Sequence, residues 1–99
     1  MAEGKFTYKL PALRKGQFPN ILKPDGAKVA FLIHPKTEVE VIGNKEGLLY
    51  LARHIAAMAM LKGCPGLHIH LDPEHGDVDE RSCIVTIGNL DFGGRKDTP

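Results

Sequence analysis

The stretch HIHLDPEHGD, residues 68–77, places three histidines and two aspartates within ten positions. Imidazole and carboxylate groups at that density suit a metal ion or an acid–base pair. On an extended strand, residues two apart point to the same side and lie roughly 6.5–7 Å apart along the chain. His68 and His70 could then reach one ion, with Asp72 as a third ligand and Glu40, His75 or an acidic loop residue completing the shell. Zinc or a similar borderline metal takes such a mix of nitrogen and oxygen donors. A plainer reading competes with this one. A sheet covered on one face by a helix leaves its other face wet, and alternating polar side chains belong there. H-x-H alone is a weak signal and no later ligands are spaced to support it. No cofactor is therefore expected, and the metal set His68, His70 and Asp72 stands as the alternative.

The same residues match the opening of the metallo-β-lactamase motif, H-x-H-x-D-H, but Pro73 stands where its next histidine belongs. That motif also needs ligands on later strands of a much larger fold, and 27 residues follow Asp72. Nucleophilic catalysis fares no better, because strand alternation turns Cys83 inward, away from His68 and His70, as a buried thiol. The acids of residues 72–80 sit on a Gly-containing loop and read as solvated charge. GNKEG at 43–47 could offer backbone N–H groups to an anion. It lacks the lysine and spacing of a phosphate loop, and Asn44 reads as a helix cap. No catalytic residue is expected.

Strands and a helix must position these side chains. Lys28–Ile33 is apolar and β-prone, and Glu38–Ile42 alternates, with Val39 and Val41 on one face and Glu38 and Glu40 on the other. With HPKT between them, the two runs predict a hairpin. KPDG reads as a turn through Pro24 and Gly26, and Lys5–Leu10 as a short edge strand. The spacing predicts a helix from Lys45 to Lys62, capped by Asn44 and stopped by Gly63 and Pro65. Its apolar face would carry Leu48, Leu51, Ala52, Ile55, Met58 and Ala59, with Glu46, Tyr50, Arg53, His54 and Ala57 on the opposite side. Gly66–Asp72 alternates, with Leu67, Ile69 and Leu71 facing away from His68, His70 and Asp72. Ser82–Gly88 does the same, with Cys83, Val85 and Ile87 opposed to Ser82, Ile84 and Thr86. The acidic loop PEHGDVDE joins these last two strands. The expected fold is α+β in ββαββ order: a two-layer sandwich of one mainly antiparallel four-stranded sheet packed against a single helix. Residues 1–27 would form an irregular N-terminal segment, 28–90 a single α+β domain and 91–99 a flexible tail.

At 99 residues the chain is expected to be one domain. The longest apolar run is broken by Arg53 and His54 and falls short of the roughly 18 residues of a membrane span. MAEGKFTYKL lacks the apolar stretch of a secretion signal, so a cytoplasmic location is expected, with Cys64 and Cys83 as reduced thiols. The net charge of +1 hides an asymmetry: residues 1–36 carry a net +5 and residues 37–99 a net −4. Five of the acids, Asp72, Glu74, Asp77, Asp79 and Glu80, fall within nine residues. The N-terminal lysines are scattered, with no aromatic–basic signature, so neither nucleic acid nor membrane is an expected partner.

EVEVIGNKEGLLYLARHIAAMA, then HIHLD, then a serine opening a final apolar strand, resembles the immunity protein 32 family of bacterial polymorphic toxin systems. The resemblance rests on Gly43, Asn44, Gly47, Leu48, Leu51 and Ala52 at the helix start, on His68, His70, Leu71 and Asp72, and on Ser82 beyond the loop. It spans roughly residues 38–88. It implies a small non-enzymatic α+β protein that neutralises a cognate toxin encoded beside it, by stoichiometric binding. Under that resemblance the helix-start residues shape the fold. The toxin-binding residues would be His68, His70, Asp72, Glu74, His75, Asp77, Asp79 and Glu80, with the loop steering association with a basic cleft.

Overall fold

A computed structural model describes residues 4–13, 19–35, 38–61 and 68–89. The element order is β1 (Val29–His34), β2 (Glu38–Gly43), α1 (Lys45–Met60), β3 (His68–Leu71), a 3-10 turn at Pro73–His75, and β4 (Val85–Gly88). The class is α+β, as the periodicities predict. Residues 5–10, expected as an edge strand, have no regular structure. The turn at KPDG is present, with the Ala27 amide donating to the Pro24 carbonyl at 3.0 Å. The helix stop at Gly63–Pro65, Cys64 and the tail 91–99 lie outside the described residues.

The strands form two antiparallel pairs, β1 with β2 and β3 with β4, rather than one four-stranded sheet. In the first pair Val29 opposes Gly43 and His34 opposes Glu38; in the second His68 opposes Gly88 and Leu71 opposes Val85. The reason lies between the acidic loop and β4. Residues 79–83 run along the free edge of β1 in the same direction, the Asp79 amide donating to Val29 O at 2.8 Å and the Cys83 amide to Phe31 O at 3.1 Å. Ser82, expected to face outward, is buried instead. Its Oγ accepts from the Phe31 amide at 2.9 Å and donates to the Cys83 carbonyl at 2.8 Å, standing in for a backbone partner. The chain thus spends Ser82 and Cys83 on binding the first pair and begins β4 only at Val85, three residues later than alternation predicts.

Both pairs present one face to a common core. Val29, Tyr50, Leu51, Leu71 and Val78 form its centre, with Ile21, Phe31, Ile69, Val85 and Ile87 packed around them. Fully burying an aliphatic side chain such as Val29 or Leu71 is worth about 1.5–3 kcal/mol. The Asn89 side chain, just past β4, donates to Met58 O at 3.0 Å and ties the second pair to the helix.

The helix runs where expected but is rotated about its axis. Its buried residues are Gly47, Tyr50, Leu51, Ala57 and Met58, followed by Leu61 at the C-cap. Leu48 and Ile55, assigned to the core by hydrophobicity, are 43% and 51% exposed. The buried set still recurs at three and four residues, as an amphipathic helix requires, but its stripe is led by a glycine and a tyrosine. Gly47 sets this rotation. A Cβ built on it would lie 1.9 Å from the Lys28 carbonyl oxygen, and one built on Gly43 would lie 2.6 Å from the same atom. The first helical turn therefore rests directly on the backbone entering β1, which only the glycine side of the helix permits.

Asn44 locks that approach. Its Oδ1 accepts from Gly47 N at 2.8 Å and from Lys28 N at 2.9 Å, while its Nδ2 donates to Gly26 O at 2.7 Å. Its own amide donates to Lys28 O at 2.9 Å. A single side chain caps the helix and satisfies the KPDG turn's exit. The Gly47 and Leu48 amides at this helix start are occupied by Asn44 itself.

Candidate functional site

β3 places His68 and His70 on its exposed side, with Ile69 and Leu71 turned to the core. The two imidazoles pack edge to face, centroids 4.8 Å apart, and His70 Nδ1 shares a 2.9 Å hydrogen bond with Thr86 Oγ1 on β4. Among the described residues, no three His, Cys, Asp or Glu side chains gather in a way that would hold a metal ion. The Asp72 carboxylate is turned onward rather than back to the histidines. Its Oδ1 accepts from the Glu74 amide at 2.8 Å and caps the 3-10 turn.

The acidic loop is built from its own carboxylates. Asp77 Oδ2 accepts from the Asp72 amide at 3.1 Å, and Gly76 ends the 3-10 turn in the left-handed region at φ 77°. Val78 drops into the core at 4% exposure. Asp79 Oδ1 accepts from both Arg81 N and Arg81 Nε at 3.0 Å. Those bonds, the backbone one first, hold the Asp79 carboxyl below the usual carboxylate range. Three of the five acids therefore shape the loop, while Glu74, His75 and Glu80 are exposed on it. His75 stands 3.8 Å from Asp72 Oδ2, a contact that gains charge attraction only when the imidazole is protonated.

A second group of chemistry-bearing side chains lies beneath this surface. A cavity of about 190 Å³ opens between α1, β3 and the segment holding Pro19 and Ile21, lined by Tyr50, His54, His70 and Asp77 among others. Tyr50 and His54, one helical turn apart, meet edge to face with centroids 4.7 Å apart. Burial, reinforced by the negative charge of Asp77, pushes the Tyr50 hydroxyl up to about 12. Burial also lowers the His54 imidazole, against a smaller opposing pull from Asp77. His54 Nε2 is buried with no hydrogen-bond partner. Placing Tyr50 and His54 on the solvent side of the helix misses this site. The signal that reveals it is the Gly47, Tyr50, Leu51, Ala57, Met58 spacing, a buried stripe with the half-buried His54 between its two halves once glycine and aromatics are admitted to it.

The described residues form a small α+β protein with an ordered acidic loop and an exposed histidine pair. The chain belongs to a family of immunity proteins: the model of immunity protein 32 matches it over residues 38–90, more than half its length. No curated protein and no solved structure matches it. The matched region contains the Gly43–Asn44–Gly47 helix start, β3, the acidic loop and Ser82. Among the described residues, no helix is long and apolar enough to cross a membrane.

Proposed function

We propose that this protein neutralises a bacterial toxin in the cytoplasm of the producing cell, by binding it one to one and without catalysis. Membership of the immunity protein 32 family over residues 38–90 carries the proposal. The cognate toxin is encoded beside it, and the contact surface is the exposed side of β3 with the loop that follows: His68, His70, Asp72, Glu74, His75, Asp77, Asp79 and Glu80. Within that set the structure suggests a division of labour. Asp72, Asp77 and Asp79 hold the loop in shape through backbone hydrogen bonds, and Glu74, His75 and Glu80 meet the partner. A loop anchored by Val78 and by the Asp79–Val29 hydrogen bond loses little conformational entropy on binding, which favours affinity. Its negative charge would steer association with a basic cleft.

The test is co-expression with the protein encoded immediately upstream. Growth rescue together with a co-purifying complex supports the proposal. A harmless neighbour and no complex removes it.

A further inference from the structure

We propose that the cavity between α1 and β3 is a receptor pocket for one cationic group, a guanidinium or ammonium. Among the described residues, Asp77 is the only carboxylate lining it. One oxygen of that carboxylate is engaged by the Asp72 amide, which leaves the other for a ligand. His54 Nε2 offers a second acceptor: buried and unpartnered, it accepts a hydrogen bond in the Nδ1–H tautomer. Leaving such an atom unsatisfied is destabilising, a cost that a donor-bearing ligand would remove. Guanidinium and ammonium are donors only. The Tyr50 ring supplies an aromatic wall suited to a cation.

An anion fits poorly, because among the described residues no lysine or arginine lines the cavity to offset Asp77. Burial keeps His54 from taking a proton readily, so it remains an acceptor at neutral pH. The volume, about 190 Å³, far exceeds the roughly 10–15 Å³ that one water needs and admits a small organic cation. His70 also lines the cavity, so the pocket adjoins the exposed strand face. The inference does not depend on the toxin-neutralising reading, and its test involves no toxin.

The full chain is titrated with ethylguanidinium, with its neutral isostere ethylurea and with acetate, following the His54 ring signals by NMR. Saturable shifts with ethylguanidinium, at least about tenfold weaker with ethylurea, are expected, and acetate should leave His54 unmoved. Asp77→Asn, which keeps an oxygen to accept from the Asp72 amide, should weaken the cation by a similar factor. If that variant does not fold, the comparison of charged and neutral probes on the unaltered chain still decides. Acetate saturating the site, equal binding of both isosteres, or no shift with any probe overturns the proposal. Blocked arginine, N-acetyl-arginine N-methylamide, separates the sources of the cation. Binding as tight as ethylguanidinium indicates a side chain carried on a polypeptide; entry of the small cation alone indicates a free amine or guanidine.

Discussion

Gly47 on the helix and Lys28 at the entrance to β1 are in backbone contact, with no room for even a methyl group between them. Helix propensity alone says that Gly47→Ala should stabilise the protein by about 1 kcal/mol. The contact reverses the sign. Forcing the helix off the Lys28 carbonyl should cost at least about 2–3 kcal/mol, read as a lower urea midpoint. Gly43→Ala, facing the same oxygen, should behave similarly.

Asn44 holds that contact together through three side-chain hydrogen bonds. Asn44→Ala removes the helix cap and two bonds to the preceding turn, for a loss of about 2 kcal/mol. Asn44→Asp keeps the oxygen acceptors and loses the donation to Gly26 O, so urea unfolding should rank it between alanine and the native residue.

The rotated helix makes a sharp contrast between residues of equal hydrophobicity. Leu51→Ala and Met58→Ala should each cost about 2–4 kcal/mol, since both are buried. Leu48→Gln and Ile55→Gln, on the exposed side, should stay within about 0.5 kcal/mol. If the two pairs cost the same in urea unfolding, the helix faces the core as hydrophobicity alone would orient it.

His54 gives stability a defined pH dependence. Its folded pKa lies below the unfolded value, because burial disfavours the charged ring. The unfolded chain therefore binds the extra proton first, and stability falls as pH drops through about 6.5, the ordinary histidine value. Above that pH the penalty is absent. Subtracting the profile of His54→Phe from that of the native chain isolates this contribution between pH 7.5 and 5. Tyr50 shows the same burial at the other end of the scale. In a Tyr8→Phe background the absorbance at 295 nm should titrate near 12 rather than at an ordinary tyrosine value.

Strand and helix positions were legible because their signals are local. An apolar, β-prone run located β1, alternation located β2 and β3, and Asn44 marked the helix start. The rest depended on contacts between distant segments. Ser82 reads as an outward strand residue until its hydroxyl is seen bonding Phe31, 51 positions away. Leu48 and Ile55 read as core until Gly47 is seen against Lys28, which turns the helix, buries Tyr50 and leaves His54 half-buried in their place. The histidine pair on β3 was placed on its exposed face by alternation alone. That the aspartates of the loop spend their oxygens on its own amides is a tertiary fact with no periodic signature.

The most direct measurement is a titration of the toxin's activity with purified protein. The account predicts a linear fall to zero at one equivalent, with Glu74→Lys/Glu80→Lys requiring higher concentrations while remaining folded. Undiminished activity at excess protein, or complete inactivation by a small fraction of an equivalent, would contradict stoichiometric neutralisation.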